Sequence, residues 1–300
     1  MALFLSLKNK KNLEIFFEEK KRTNQSVLFS GEEGIGKTTL AFYLAHTLLC
    51  LKKGKEPCQN CESCLEYQKK CHPDFLAVSP EKGLISIEKV REIINFLSFK
   101  PKLSGLKIVI IDDSEKMTKE AQNALLKILE EPNLDNLIIL VSSYPEKLLP
   151  TILSRLLVIK FSLAKKKEII DYLVKEFSLS LDKAEEIAQM SQGKIAEAIK
   201  LLEKDYFKEK MKAKEILKKI IKGNEIEKIL IIEEDLKEEK INFFLKEWLS
   251  ILRKDYQELI NLLKEEKRNY LLKNLLNAYL VINSQNVNQK LLLENIFLKI

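Results

Sequence analysis

Residues 31–38 read Gly-Glu-Glu-Gly-Ile-Gly-Lys-Thr, a match at every position to the phosphate-loop pattern G-x-x-x-x-G-K-[ST]. The loop follows a short apolar run, Ser26–Ser30, and opens a helical stretch over Thr39–Leu49. This strand–loop–helix setting is the one the pattern requires. Gly31, Gly34 and Gly36 let the backbone curl so that its N–H groups face phosphate oxygens, and the helix N-terminus adds partial positive charge. Lys37 then neutralises charge on the terminal phosphates, and the Thr38 hydroxyl, with Thr39 next to it, meets Mg²⁺. The expected cofactor is ATP with Mg²⁺.

The rest of the first half has the rhythm such a loop needs. Phe75–Val78, Lys107–Ile111, Leu137–Val141 and Leu157–Phe161 are short runs rich in Val and Ile, and each suits a strand buried on both faces of a parallel sheet. Amphipathic helices separate them: Val90, Ile93, Ile94 and Leu97 form one stripe, and Ala121, Ala124, Leu125, Ile128 and Leu129 another, stopped by Pro132. All seven prolines lie at or before Pro150, and only Gly193 and Gly223 of the eight glycines come later. A punctuated first half and a helical second half follow. The pattern predicts a doubly wound α/β domain over residues 1–162. Short helices follow at Lys165–Phe177, Asp182–Met190 and Ile195–Leu202. Longer ones are expected around Ile216–Ile221, Ile226–Ile232, Ile241–Leu252, Leu259–Leu276 and Gln289–Leu298. Trp248, among Phe243, Phe244 and Leu245, reads as core.

Composition excludes several classes. With 46% hydrophobic residues the chain is not disordered. No apolar run reaches the ~18–20 residues of a membrane helix. Met1–Leu7 is apolar, but Lys8, Lys10 and Lys11 follow it, the wrong order for a secretory signal, so the expected location is the cytoplasm. The net charge of +7 is split almost evenly between the halves and is mostly Lys and Glu interleaved at helical spacing, as in Lys208–Lys219. That is the pattern of a solvated helix face rather than a nucleic-acid patch.

Two further groups carry chemistry. Asp112 ends the apolar run Lys107–Ile111, where it can hold Mg²⁺ through water. Asp113 is the candidate for polarising an attacking water. It is one methylene shorter than the glutamate common in hydrolysing relatives, and a misplacement of ~1 Å can cost on the order of 100-fold in rate. Five cysteines, Cys50, Cys58, Cys61, Cys64 and Cys71, cluster within about twenty residues. Cys58-x-x-Cys61-x-x-Cys64 has the spacing of zinc thiolates, and Cys50 or Cys71 could complete a structural Cys₄ site, with His72 another possible fourth ligand.

The order of these motifs resembles a known family. A phosphate loop is followed by a cysteine knuckle and His72-Pro73-Asp74. Then come Asn123-Ala124-Leu125-Leu126-Lys127-Ile128-Leu129-Glu130-Glu131-Pro132 and Leu153-Ser154-Arg155. The chain is similar, over about 1–205, to the AAA+ subunits of the bacterial DNA polymerase III clamp loader. The resemblance implies an AAA+ domain over 1–162 with a zinc module at about 50–72, a three-helix lid over 163–205, and an all-helical collar over 206–300. It implies zinc on Cys50, Cys58, Cys61 and Cys64, and Arg155 as an arginine finger reaching a neighbouring subunit's ATP. The partners implied are gamma/tau-type and delta-type subunits in a hetero-pentamer, the sliding clamp, and primed DNA as a ligand of the whole complex.

Departures within the pattern choose among the family's subunits. Motor subunits carry Asp-Glu where this chain has Asp112-Asp113, and a lid arginine where it has Ala196. The sequence also stops at Ile300, short of the long extension of tau. These features imply a delta-prime-type stator, a component of the polymerase holoenzyme whose own ATPase is weak or absent. The intact phosphate loop keeps a gamma/tau-type motor as the alternative, and a zinc-knuckle nucleic-acid-binding P-loop protein is a third reading.

Overall fold

The structure is a computed structural model that describes residues 26–54, 56–131, 133–253, 263–285 and 287–300. The N-terminal run, Pro132 and the first residues of the helix expected over Leu259–Leu276 lie outside the described residues. Two compact units are present, one up to Ile199 and one from Lys200 onward.

The first unit is built on five parallel strands, β1 (Val27–Ser30), β2 (Phe75–Val78), β3 (Lys107–Ile111), β4 (Asn136–Ser142) and β5 (Leu157–Lys160), in the order β2-β3-β4-β1-β5. Parallel neighbours need crossover connections. Here they are α1 (Lys37–Leu49) and α2 (Glu62–Gln68) after β1, α3 (Ile87–Ser98) after β2, α4 (Lys119–Glu130) after β3, and α5 (Pro150–Leu153) after β4. Every residue of β1, β3 and β4 is buried. Strand alternation sends Leu28, Val109, Ile111, Ile138 and Leu140 to the face covered by the apolar stripes of α3 and α4. Val27, Phe29, Ile108, Ile110 and Ile139 face the opposite side, against Leu40, Leu44 and Leu49 of α1. Truncating one such residue, Ile110→Ala for example, would cost about 2–5 kcal/mol. The expectation of burial on both faces fails for β2 and β5. They are the sheet's edges, each with one neighbour, and only Val78 and Ile159 are buried in them.

Helices α6 (Lys166–Phe177), α7 (Leu181–Ser191) and α8 (Ile195–Lys200) follow β5. Gly193 separates α7 from α8 with φ +83°, and a Cβ there would lie 2.9 Å from both the Ala164 carbonyl oxygen and the Leu163 Cβ. The Ala164 N–H donates to the Gly193 carbonyl at 2.9 Å, so this close approach sets where α8 begins.

The second unit contains α9 (Lys204–Lys222), α10 (Glu225–Asp235), α11 (Ile241–Arg253), α12 (Glu265–Ser284) and α13 (Gln289–Phe297). Asn224 and Glu227 form a capping box that starts α10. Leu217, Ile220, Leu245, Leu275 and Phe297 pack in one core with Trp248. The Trp248 indole N–H donates to the Ala213 carbonyl at 2.8 Å, which satisfies its buried polar atom and makes it a core residue. No helix among the described residues is long and apolar enough to cross a membrane.

Candidate nucleotide site and metal centre

The phosphate loop leaves the C-terminal end of β1 and enters α1. Gly31, Gly34 and Gly36 all have positive φ, and at Gly31 a Cβ would sit 2.6 Å from the Phe161 carbonyl oxygen, which only glycine allows. Gly36 precedes α1 in the left-handed region; no side chain caps the helix and no acidic residue lies in its first turn. The loop's backbone donors and the positive end of the helix dipole therefore face the same space, a fit for polyphosphate.

Lys37 is buried, and its ammonium donates to the Gly31 carbonyl at 2.6 Å, the Glu32 carbonyl at 2.8 Å and the Ser143 hydroxyl at 3.1 Å. Burial pulls its pKa below the ordinary lysine value, and the charges of Glu115, then Asp112, act in the opposite direction. The Thr38 hydroxyl donates to Asp112 Oδ1 at 2.9 Å, so the two groups expected around Mg²⁺ are already together. Burial raises the Asp112 pKa, opposed by the bonds from Thr38 and from the Asp113 N–H. Thr39 is exposed at the start of α1.

Asp113 has φ 46°, and its Oδ2 pairs with Lys116 Nζ at 2.7 Å at the surface. The carboxylate joined to Lys37 through one intermediate residue is Glu115: its Oε1 accepts the Ser143 N–H at 3.2 Å. Neither Ser143 nor Glu115 stands out as a site residue in the linear pattern. Ser143 had one usable signal, a polar pair closing the apolar run of β4. Glu115 had none, because its approach depends on the 3₁₀ turn Ser114–Lys116.

On the other side of the loop, the Ala196 N–H donates to the Gly34 carbonyl at 3.1 Å. Lys194 lies 3.7 Å from Glu32, and a Cβ on Gly36 would meet Ile195 Cγ2 at 3.3 Å. Where motor subunits are expected to extend an arginine, this chain presents backbone and a methyl group.

Arg155 lies just before β5. Its guanidinium donates to the Thr151 carbonyl at 2.8 Å and pairs with Glu130 Oε1 at 2.8 Å, with Ser154 Oγ at 3.4 Å. The parallel register Val27↔Leu157 through Ser30↔Lys160 puts Arg155 before one end of β5 and Gly31 after the other end of β1. The four-residue strand alone separates them by roughly 13 Å.

The sulfur atoms of Cys50, Cys58, Cys61 and Cys64 lie within 4.8 Å of one another, with Cys58 and Cys64 Sγ 3.9 Å apart. A tetrahedron with metal–sulfur bonds of about 2.3 Å has edges of about 3.8 Å, so the four thiols fit a thiophilic ion. The Cys58 N–H donates to Cys50 Sγ and the Cys64 N–H to Cys61 Sγ, both at 3.4 Å, which favours thiolates. The Asn60 backbone holds the Cys58 thiol down to about 6, while burial pushes Cys64 up to about 12. Cys71 stands apart, exposed and bonded to Glu66 Oε2 at 2.9 Å.

His72 also serves elsewhere. Its Nδ1 accepts the Asp74 N–H at 3.0 Å, so Nε2 carries the proton and donates to Ser63 Oγ at 2.8 Å. Ser63 in turn donates to the Leu49 carbonyl at 2.7 Å. This relay ties the end of α1, next to Cys50, to α2, and burial keeps the imidazole pKa below its ordinary value.

Comparison with known proteins fits this geometry. A family model described as DNA polymerase III, delta subunit, matches residues 9–165. DNA polymerase III subunit delta' of Bacillus subtilis (strain 168) is 36% identical over 191 residues, 64% of this chain and 57% of that protein. The chain therefore spans little more than half the length of that relative. Subunit delta' of Buchnera aphidicola subsp. Acyrthosiphon pisum (strain APS) is 29% identical over 294 residues, 92% of this chain and 90% of that one. A crystal structure of a DNA polymerase III gamma subunit-related protein from Thermotoga maritima shares the fold, with a TM-score of 0.54 at 21% identity over 95% of this chain and 97% of that one. A family match that takes in more than half of the residues, including the parallel sheet, the phosphate loop and the cysteine cluster, makes this chain a member of the DNA polymerase III delta subunit family.

Proposed function

We propose that this chain is a delta-prime-type subunit of the bacterial clamp loader, a stator that helps place the sliding clamp on primed DNA. Its partners are gamma/tau-type and delta-type subunits in a hetero-pentamer, and its location is the cytoplasm. The α/β sheet and its phosphate loop form an AAA+ domain, residues 163–205 a lid, and residues 206–300 the collar through which subunits associate.

The observation that carries this reading is the placement of Arg155. It lies at the opposite end of the adjacent strands β1 and β5 from the chain's own phosphate loop, and its partners Thr151, Ser154 and Glu130 lie outside that loop. A guanidinium so placed serves a phosphate held by another subunit, where it stabilises charge on the transferred phosphoryl group. Its ion pair with Glu130 is partly exposed and therefore weak, so the pair exchanges for a phosphate at little cost.

In its own site, Gly31, Gly34, Gly36 and Lys37 hold the phosphates of ATP, and Thr38 and Asp112 hold Mg²⁺. Held there, Mg²⁺ would offset the negative charge of the phosphates. Asp113 is paired with Lys116 and Ala196 offers no guanidinium, which favours binding with little turnover. Zinc on Cys50, Cys58, Cys61 and Cys64 is structural, since four thiolates leave no open position.

The test is assembly. The full chain mixed with gamma-type and delta-type partners is expected to enter one complex on size exclusion, and that complex loads clamp onto primed DNA. A chain that stays outside the complex, or a partner set that loads equally well without it, overturns the reading. The intact Thr38–Asp112 pair supports one other reading, a gamma-type motor. Substantial clamp- and DNA-stimulated hydrolysis by the chain alone, abolished by Lys37→Ala, would select that one.

A further inference from the structure

An acidic group outside the phosphate-loop pattern is linked to Lys37 through a single residue, Ser143. Glu115 Oε1 accepts the Ser143 N–H at 3.2 Å, and the same residue's hydroxyl takes a 3.1 Å bond from the Lys37 ammonium. Glu115 Oε2 is buried and has no hydrogen-bond partner among the described residues. Of the carboxylates around Lys37, Glu115 exerts the largest electrostatic effect on it, ahead of Asp112, Glu33 and Asp113. Asp113, the acidic residue the pattern points to, is turned to the surface and matched by Lys116.

We propose that Glu115 is a built-in anion that sets how this phosphate loop discriminates nucleoside triphosphate from diphosphate, disfavouring the triphosphate. This rests on the reading that the loop binds nucleotide. The physical argument is one of competing charge. A P-loop lysine meets the β- and γ-phosphates, so the γ-phosphate must come to the Lys37–Ser143 pair. The negative charge that a triphosphate adds over a diphosphate then falls nearest the Glu115 carboxylate. Partial burial reduces screening of that repulsion, and at an effective dielectric near 20 one added charge as far away as roughly 12 Å already shifts relative affinity by about tenfold. The same bond to the Ser143 N–H holds Ser143 where its hydroxyl accepts from Lys37.

The experiment titrates the full chain with Mg-ATP and Mg-ADP, separately, for wild type, Glu115→Gln and Glu115→Ala. Gln keeps an acceptor for the Ser143 N–H and removes the charge, whereas Ala removes both. The ratio of the ATP to the ADP dissociation constant is expected to fall about tenfold in both variants. A ratio within twofold of wild type in Glu115→Gln overturns the proposal. So does a shift confined to Glu115→Ala, which would assign Glu115 a purely structural bond. If wild type and both variants bind neither nucleotide, the nucleotide reading itself fails along with this one; measurable binding with an unchanged ratio fails this one alone.

Discussion

The Thr38 hydroxyl and the Asp112 carboxylate meet at 2.9 Å, which joins the first turn of α1 to the end of β3. A preformed pair of oxygen ligands makes Mg²⁺ dependence the sensitive property of this site. Asp112→Asn is expected to reduce the gain in ATP affinity that Mg²⁺ provides by about tenfold, with affinity in EDTA changing little. Lys37→Ala is expected to lower affinity in both conditions, since it removes a buried charge that phosphate would pair with. Calorimetric titration with and without Mg²⁺ separates the two effects. An Asp112→Asn protein that keeps its full Mg²⁺ response would contradict the assignment.

The cysteine cluster predicts one bound zinc per chain. Serine at Cys50, Cys58, Cys61 or Cys64 should release it, and Cys71→Ser should retain it, because Cys71 faces Glu66 instead of the cluster. Ligand thiols must lose protons to bind, so metal is lost as pH falls. Elemental analysis of the purified variants decides the set. Retention of zinc by Cys50→Ser would move the fourth ligand elsewhere.

Asp74 predicts an acid-sensitive contribution to stability. It is fully buried, and its carboxylate accepts the N–H groups of Lys102 at 2.6 Å, Leu103 at 2.7 Å and Ser104 at 2.9 Å, with the Ser104 hydroxyl at 3.0 Å. Burial alone would raise its pKa, but these donors together hold it below the usual carboxylate range. A folded-state pKa below the unfolded value of about 3.9 gives stability that is fully present above that pH. It is lost as pH falls through the folded value. Asp74→Asn should therefore cost about 2 kcal/mol at pH 7, with the gap to wild type narrowing as pH falls below the unfolded carboxylate value of about 3.9. Urea midpoints at neutral and acid pH measure it, and a gap that widens in acid would contradict it.

Much of the fold was legible because its signals are local. Val and Ile on consecutive positions mark Lys107–Ile111 and Leu137–Val141 as inner strands, and the glycines at 31, 34 and 36 mark the loop between β1 and α1. Leu76 and Val158 belong to runs of the same kind, yet they sit on edge strands. Composition along a strand does not encode how many neighbours it has. The cysteine spacing pointed to a metal cluster but left its fourth member open among Cys50, Cys71 and His72, because the choice depends on how α2 packs beside the end of α1. The relay from Asp74 through His72 and Ser63 to Leu49 has no signature in linear order. Ala196 was legible only in part: linear order shows an alanine where the motor pattern has arginine, but its backbone contact with Gly34 emerges only once α8 is folded against the loop.

The most direct measurement of the central claim is ATP turnover by the reconstituted complex of this chain with gamma-type and delta-type subunits, clamp and primed DNA, comparing wild type with Arg155→Ala. Loss of the guanidinium should lower clamp- and DNA-stimulated turnover at least tenfold while the complex still assembles, the outcome the proposal requires of a guanidinium that serves a neighbour's phosphate. Turnover near the wild-type rate from a fully assembled Arg155→Ala complex would contradict the account.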